Sequence, residues 1–101
     1  NDNVVTDKLW VEFKNVLGKK GWLLGKADYI CFEQPFNFLF VSREQLLRYC
    51  INSVDMKTRV TSPRDCNYNI YSREGRDDAI SIIDLGKMFG ACSDIFLIKK
   101  K

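Results

Sequence analysis

The chain has 101 residues, room for one compact domain around one core, and no repeat, low-complexity stretch or linker divides it. Sixteen basic side chains stand against thirteen acidic ones. The lysines at 99–101 supply the whole excess, so the rest of the chain balances, and any nucleic-acid binding must rest on local clusters rather than on a uniformly basic surface. There is no histidine, which removes imidazole zinc sites, Ser-His-Asp triads and nucleases built on a histidine general base.

The apolar share of 46% is that of an ordinary globular protein. No run approaches the roughly 20 apolar residues of a membrane span, and no charged-then-apolar signal segment stands at the start. The sequence opens on Asn1 rather than Met. Native N-terminal sequence is therefore expected to precede the single domain at 1–101, and a further acidic ligand can lie there. Cys31, Cys50, Cys66 and Cys92 are widely spaced with no C-x-x-C, so they are expected to be reduced thiols of an intracellular, cytoplasmic protein.

In chain order, the first element is a hairpin. Val4 and Val5 lie on its first strand, Thr6-Asp7-Lys8 form its turn, and 9–14 form its second strand. Alternation sends Val11 and Phe13 into a core and Glu12 and Lys14 together to the other face. A glycine-bounded loop follows at 15–22. Residues 27–32 read as a strand, Glu33-Gln34-Pro35 as a turn, and 37–41 as a second strand rich in aromatic and branched residues. Ser42 starts a helix, with Ser42 and Gln45 forming a capping box. Leu46, Leu47, Cys50, Ile51 and Val54 make its apolar stripe. Residues 55–67 read as a polar loop with a short strand at 58–60. A second hairpin pairs 68–71 with 79–83. Asp84 caps a short helix ending near Gly90, and 95–98 form a last strand. The pattern predicts an α/β (α+β) fold with a mixed central β-sheet flanked by helices.

One cluster carries chemistry. Asp2 heads the first strand and Glu12-x-Lys14 lies on the next. Two carboxylates beside a lysine suit metal-assisted phosphodiester cleavage. The carboxylates hold a hard cation through oxygen, and the lysine orients a water or stabilises developing charge. Lys19, Lys20 and Lys26 surround Trp22, which suits phosphate contact and base stacking. Arg73 and Arg76 flank a hairpin tip, and a guanidinium fork suits phosphate. Each feature also has a plain reading. Glu12 and Lys14 can be a solvated ion pair, Trp22 can fold back onto the core, and Arg73 and Arg76 can be neutralised by Asp77 and Asp78. Asp28 can be an extra acid near the site or a polar residue opening a strand. The lysine tail can be a solvated end.

The order Asp2…Glu12-Phe13-Lys14 on adjacent strands resembles the PD-(D/E)XK nuclease superfamily. The similarity continues through Val11-Glu12-Phe13-Lys14-Asn15, Gly21-Trp22, Ala27-Asp28-Tyr29-Ile30, Ser42-Arg43-Glu44-Gln45-Leu46 and the stretch at 71–80. Its layout is similar to that of small phage proteins of the superfamily, although Asn1, not proline, precedes Asp2. The resemblance implies a restriction-endonuclease-like fold, an endonuclease of DNA dependent on Mg²⁺ or Mn²⁺, and a phage origin in a bacterial host. It implies Asp2 and Glu12 as metal ligands and Lys14 beside the attacking water, with self-association as a homodimer common in such enzymes. The alternative is a catalytically silent module of the same fold, a phage factor binding nucleic acid or a host protein. A third reading is a small subunit that docks through a sheet edge or the aromatic cluster of Phe32, Phe36, Phe38 and Phe40.

Overall fold

The structure is a computed structural model, and it describes residues 7–15 and 17–101. Seven strands and two helices follow in order: β1 (Lys8–Lys14), β2 (Tyr29–Glu33), β3 (Asn37–Ser42), α1 (Arg43–Ser53), β4 (Asp55–Val60), β5 (Asn69–Tyr71), β6 (Ala79–Asp84), α2 (Leu85–Ala91) and β7 (Ile95–Lys99). The fold is mixed α+β. Its strands divide between two sheets instead of forming one central sheet. The larger has the order β1-β6-β5-β4 and the smaller β2-β3-β7. The larger sheet is mixed, since β4 runs parallel to β5 while the other neighbours are antiparallel. The expected first hairpin strand, with Asp2, Val4 and Val5, lies outside the described residues; β1 itself pairs with β6.

The core joins both sheets to α1. Leu9, Val11 and Phe13 of β1, Leu39 and Val41 of β3, Ile83 of β6, and Leu46 and Cys50 of α1 are all buried. In β1 these are the alternate residues, so the strand's period of two decides which face is buried. The core stripe of α1 is narrower than its spacing implies. Leu46, Cys50 and Val54 stand four apart and are buried, whereas Leu47 is half-buried and Ile51 is 54% exposed. Both of the latter lie one residue round the helix from that line.

Both helix starts carry the expected caps. Ser42 Oγ accepts from the Gln45 N–H at 3.3 Å, and Asp84 Oδ1 accepts from the Lys87 N–H at 3.3 Å. The capping box at Ser42 is not reciprocal, however. Gln45 Oε1 accepts from the Ser93 and Asp94 amides, each at 2.9 Å, which ties α1 to the loop before β7. Residues 55–60, expected to hold a short strand at 58–60 in a loop, form the whole edge strand β4. Its start is fixed by the Asp55 N–H donating to the Tyr68 carbonyl at 2.8 Å. No helix among the described residues is long and apolar enough to cross a membrane.

Candidate functional site

Glu12 and Lys14 project from the outward face of β1, opposite the buried Leu9, Val11 and Phe13. Across the ladder Glu12 pairs with Ile80 and Lys14 with Ala79, so Phe13 is an extra residue and the strand carries a bulge between the two candidate positions. Such a bulge bends a strand and re-aims the side chains that flank it.

Around Glu12 lies an open cleft of about 400 Å³, lined also by Trp10, Trp22, Tyr71 and Arg73. Trp10 and Tyr71 lie in contact with ring centroids 6.4 Å apart. Trp22 opens a short 3-10 turn, Trp22–Leu24, anchored by fully buried Leu23. Its ring meets Phe32 edge-on at 5.9 Å and remains 36% exposed, so the indole both packs on the fold and walls the cleft. Gly21 lets this turn lie against β1, its N–H donating to the Phe13 carbonyl at 2.8 Å.

A second groove of about 590 Å³ adjoins along β1, lined by Lys14, Gly18, Arg59, Arg76 and Asp77. The loop beside it is built by Asn15. Its Oδ1 accepts from the Leu17 and Lys19 amides, and its carbonyl accepts from the Gly18 N–H. Gly18 has φ +77°, the left-handed conformation that glycine takes without a Cβ penalty. Lys19, Lys20 and Lys26 are exposed. Lys20 bridges to Lys14 through the backbone, so Lys14, Lys20 and the second groove form one end of the site.

Arg73 is engaged within the chain. Its Nε and Nη2 each stand 2.6 Å from Asp78 Oδ2, and its backbone N–H donates to Oδ1 at 3.0 Å. The Asp78 side chain has no exposed surface, while that of Arg73 is 40% exposed. Burial pushes the Asp78 carboxyl up. The Arg73 amide and guanidinium, with Arg76 more distant, outweigh that and hold it below its ordinary value. The 73–78 turn is therefore salt-bridged through Arg73, while Arg76 faces the second groove. Asp28 stands outside this region, in a separate hollow with Tyr29, Arg43 and Asp94.

Arg59 was not singled out from the sequence. Its Nη1 donates to Ser72 Oγ at 2.7 Å, and Ser72 Oγ donates to the Asp78 carbonyl at 2.7 Å. The parallel pairing of β4 with β5 brings it there, and such pairing leaves no local sequence signal. Asp2, the other expected metal ligand, lies outside the described residues. Among the described residues no group of three or more cysteine, aspartate or glutamate side chains is placed to hold a metal ion. Glu12 is the one carboxylate among the described residues that lines the cleft. A hard cation that keeps most of its water needs only one or two carboxylates, so the donor present fits part of such a site. Searches for a matching family model, a similar curated protein or a similar solved structure find none.

Proposed function

We propose that the chain is a metal-dependent endonuclease that hydrolyses phosphodiester bonds in DNA, a phage protein of the host cytoplasm with a restriction-endonuclease-like fold. The observation that carries the reading is the placement of Glu12 and Lys14. They project from one face of a bulged strand, between an aromatic cleft and a groove lined by Lys14, Arg59 and Arg76. Mg²⁺ or Mn²⁺, when bound, would neutralise charge on the phosphate. Glu12, with Asp2, would hold the ion. Lys14 would orient the attacking water and stabilise developing charge. Lys14, Arg59 and Arg76 meet phosphates from the groove, with Lys19, Lys20 and Lys26 on the adjoining loop; Trp22 offers a ring for stacking. Arg73 supports this face through its ion pair with Asp78.

The test is cleavage of single-stranded, duplex and branched DNA, and of RNA, in Mg²⁺, Mn²⁺ or EDTA. The expected result is metal-dependent cleavage of DNA that is lost in Glu12→Ala and in Lys14→Ala while both variants stay folded. Cleavage retained in Glu12→Ala would sink the assignment.

The second reading is a catalytically silent binding module, and the observation that favours it is that, among the described residues, a single carboxylate lines the cleft. Metal binding separates the two. A site that holds Mn²⁺ gains thermal stability on its addition, and a silent one does not.

A further inference from the structure

The smaller sheet ends in β7, and no described strand covers its outer edge. Phe96, Leu97 and Ile98 on that edge are each between 43% and 50% exposed. A bare apolar edge is a template for pairing with another strand.

The ladder shows which backbone groups are free. The Ser42 N–H donates to the Asp94 carbonyl at 2.9 Å, and the Lys100 N–H donates to the Phe36 carbonyl at 2.9 Å. Phe40 stands opposite Phe96 and Phe38 opposite Ile98 between these two bonds. Even-numbered residues of β7 therefore turn their backbone toward β3. By the alternation of an antiparallel ladder, Ile95, Leu97 and Lys99 direct N–H and C=O outward.

We propose that this edge is a homodimer interface, in which β7 pairs antiparallel with β7 of a second copy about a twofold axis at Leu97. In that register Leu97 meets Leu97 and Ile95 meets Lys99. All three outward residues join the ladder, making about six backbone hydrogen bonds. Phe96 lies opposite Ile98, an aromatic and β-branched pair of the kind that stabilises sheets. Asp94 lies opposite Lys100, so opposite charges meet at both ends, where within each chain the Lys100 ammonium stands 2.7 Å from Glu33 and the Asp94 carboxylate accepts from the Tyr29 hydroxyl. A slip of the register in either direction loses at least one of these pairs and separates Asp94 from Lys100. This self-complementarity of hydrogen bonds, apolar side chains and charge points to a second copy as the occupant. The two three-stranded sheets become one continuous sheet.

The test is sedimentation equilibrium of the wild-type chain, of Leu97→Lys and of Leu97→Glu, each alone and the two variants mixed in equal amounts. The wild type is expected to approach twice 11.8 kDa as concentration rises. Each variant alone places like charges opposite each other on the axis and is expected to stay at 11.8 kDa. The mixture sets lysine against glutamate and is expected to return to the dimer mass. A wild type that is monomeric at every concentration overturns the proposal. So does a dimer that survives Leu97→Lys, or a mixture that stays monomeric. Should a charge at position 97 disturb the fold, Leu97→Pro removes an outward N–H that β3 does not use. That variant is expected to be a monomer with the wild-type circular dichroism, and a dimeric Leu97→Pro also overturns the proposal.

Discussion

Gly21 lies so close to Glu12 that a Cβ placed on it would stand 2.5 Å from the Glu12 carbonyl oxygen and 2.8 Å from the Glu12 Cγ. Two of the three nearest atoms are backbone, so they cannot swing aside. Gly21→Ala must push the Trp22 turn away from β1 or displace Glu12. The expected cost is about 1–3 kcal/mol, as for other overpacked sites. Because the displaced residue is Glu12, the cleavage proposed for this chain is expected to fall by more than the folded fraction does. Denaturant midpoints and initial rates on the same samples check this. A variant of unchanged stability would show that the close approach does not exist in solution.

The ion pair of Arg73 and Asp78 makes a second prediction. Removing the guanidinium leaves a buried carboxylate held by backbone amide alone. Arg73→Ala is expected to cost about 2–3 kcal/mol, at or below the low end for breaking a buried pair, because the guanidinium itself is partly in water. Arg73→Lys should not rescue it, since one ammonium cannot reproduce the two guanidinium contacts.

The pH dependence follows with its sign. The folded carboxyl of Asp78 titrates below its unfolded value of about 3.9. Its contribution is thus complete above about pH 5 and is lost as the pH falls through the folded value. Thermal melts between neutral pH and strong acid are expected to fall more steeply in the wild type than in Asp78→Asn. Parallel slopes in the two proteins would remove Asp78 from the acid transition.

Tyr68 holds a left-handed backbone, φ +57°, that costs a non-glycine residue free energy. Its hydroxyl receives the Asp84 N–H at 2.9 Å and stands 2.6 Å from the Tyr49 hydroxyl. Tyr68→Phe deletes both bonds and leaves the Asp84 amide without that acceptor. A loss of about 1–3 kcal/mol is expected. Burial, and then the bond to Tyr68, hold the Tyr49 phenol well above its ordinary range. In Tyr68→Phe, ultraviolet titration should show Tyr49 ionising at lower pH. An unmoved titration would place the two hydroxyls apart.

What the sequence discloses follows the range of the forces involved. Ser42 and Asp84 cap helices through amides three residues away, and both were legible. The alternation of Leu9, Val11 and Phe13 placed Glu12 and Lys14 together on the outward face for the same local reason. Gln45 looked like half of a capping box, but its amide is satisfied 48 and 49 residues away at Ser93 and Asp94. Ile51 shared the helical spacing of the core, yet nothing local says where the facing layer ends. The division into two sheets depends on which strand each edge meets. So does the arrival of Arg59 beside Ser72 and Lys14. Period and propensity do not encode either.

The cysteines allow a prediction that reaches every part of the core. Cys31 is exposed on β2, whereas Cys50, Cys66 and Cys92 are buried. Burial pushes the Cys50 thiol up to about 12, with Cys92 nearby adding to it, and burial likewise raises Cys66 and Cys92. Only the thiolate attacks a disulfide reagent, so burial and a raised pKa act in the same direction. At mildly alkaline pH, Ellman's reagent is expected to label one thiol quickly in the folded protein and the other three only as the chain opens. Cys31→Ser should delete the fast phase and leave the slow one intact. The slow phase then reports unfolding. It should quicken in Gly21→Ala, Arg73→Ala and Tyr68→Phe in proportion to their lost stability, provided reclosing outpaces labelling. A second fast thiol in the wild type would mean that the packing of α1 against α2, or of the turn Pro63–Asp65 beside Cys66, is looser than the structure has it.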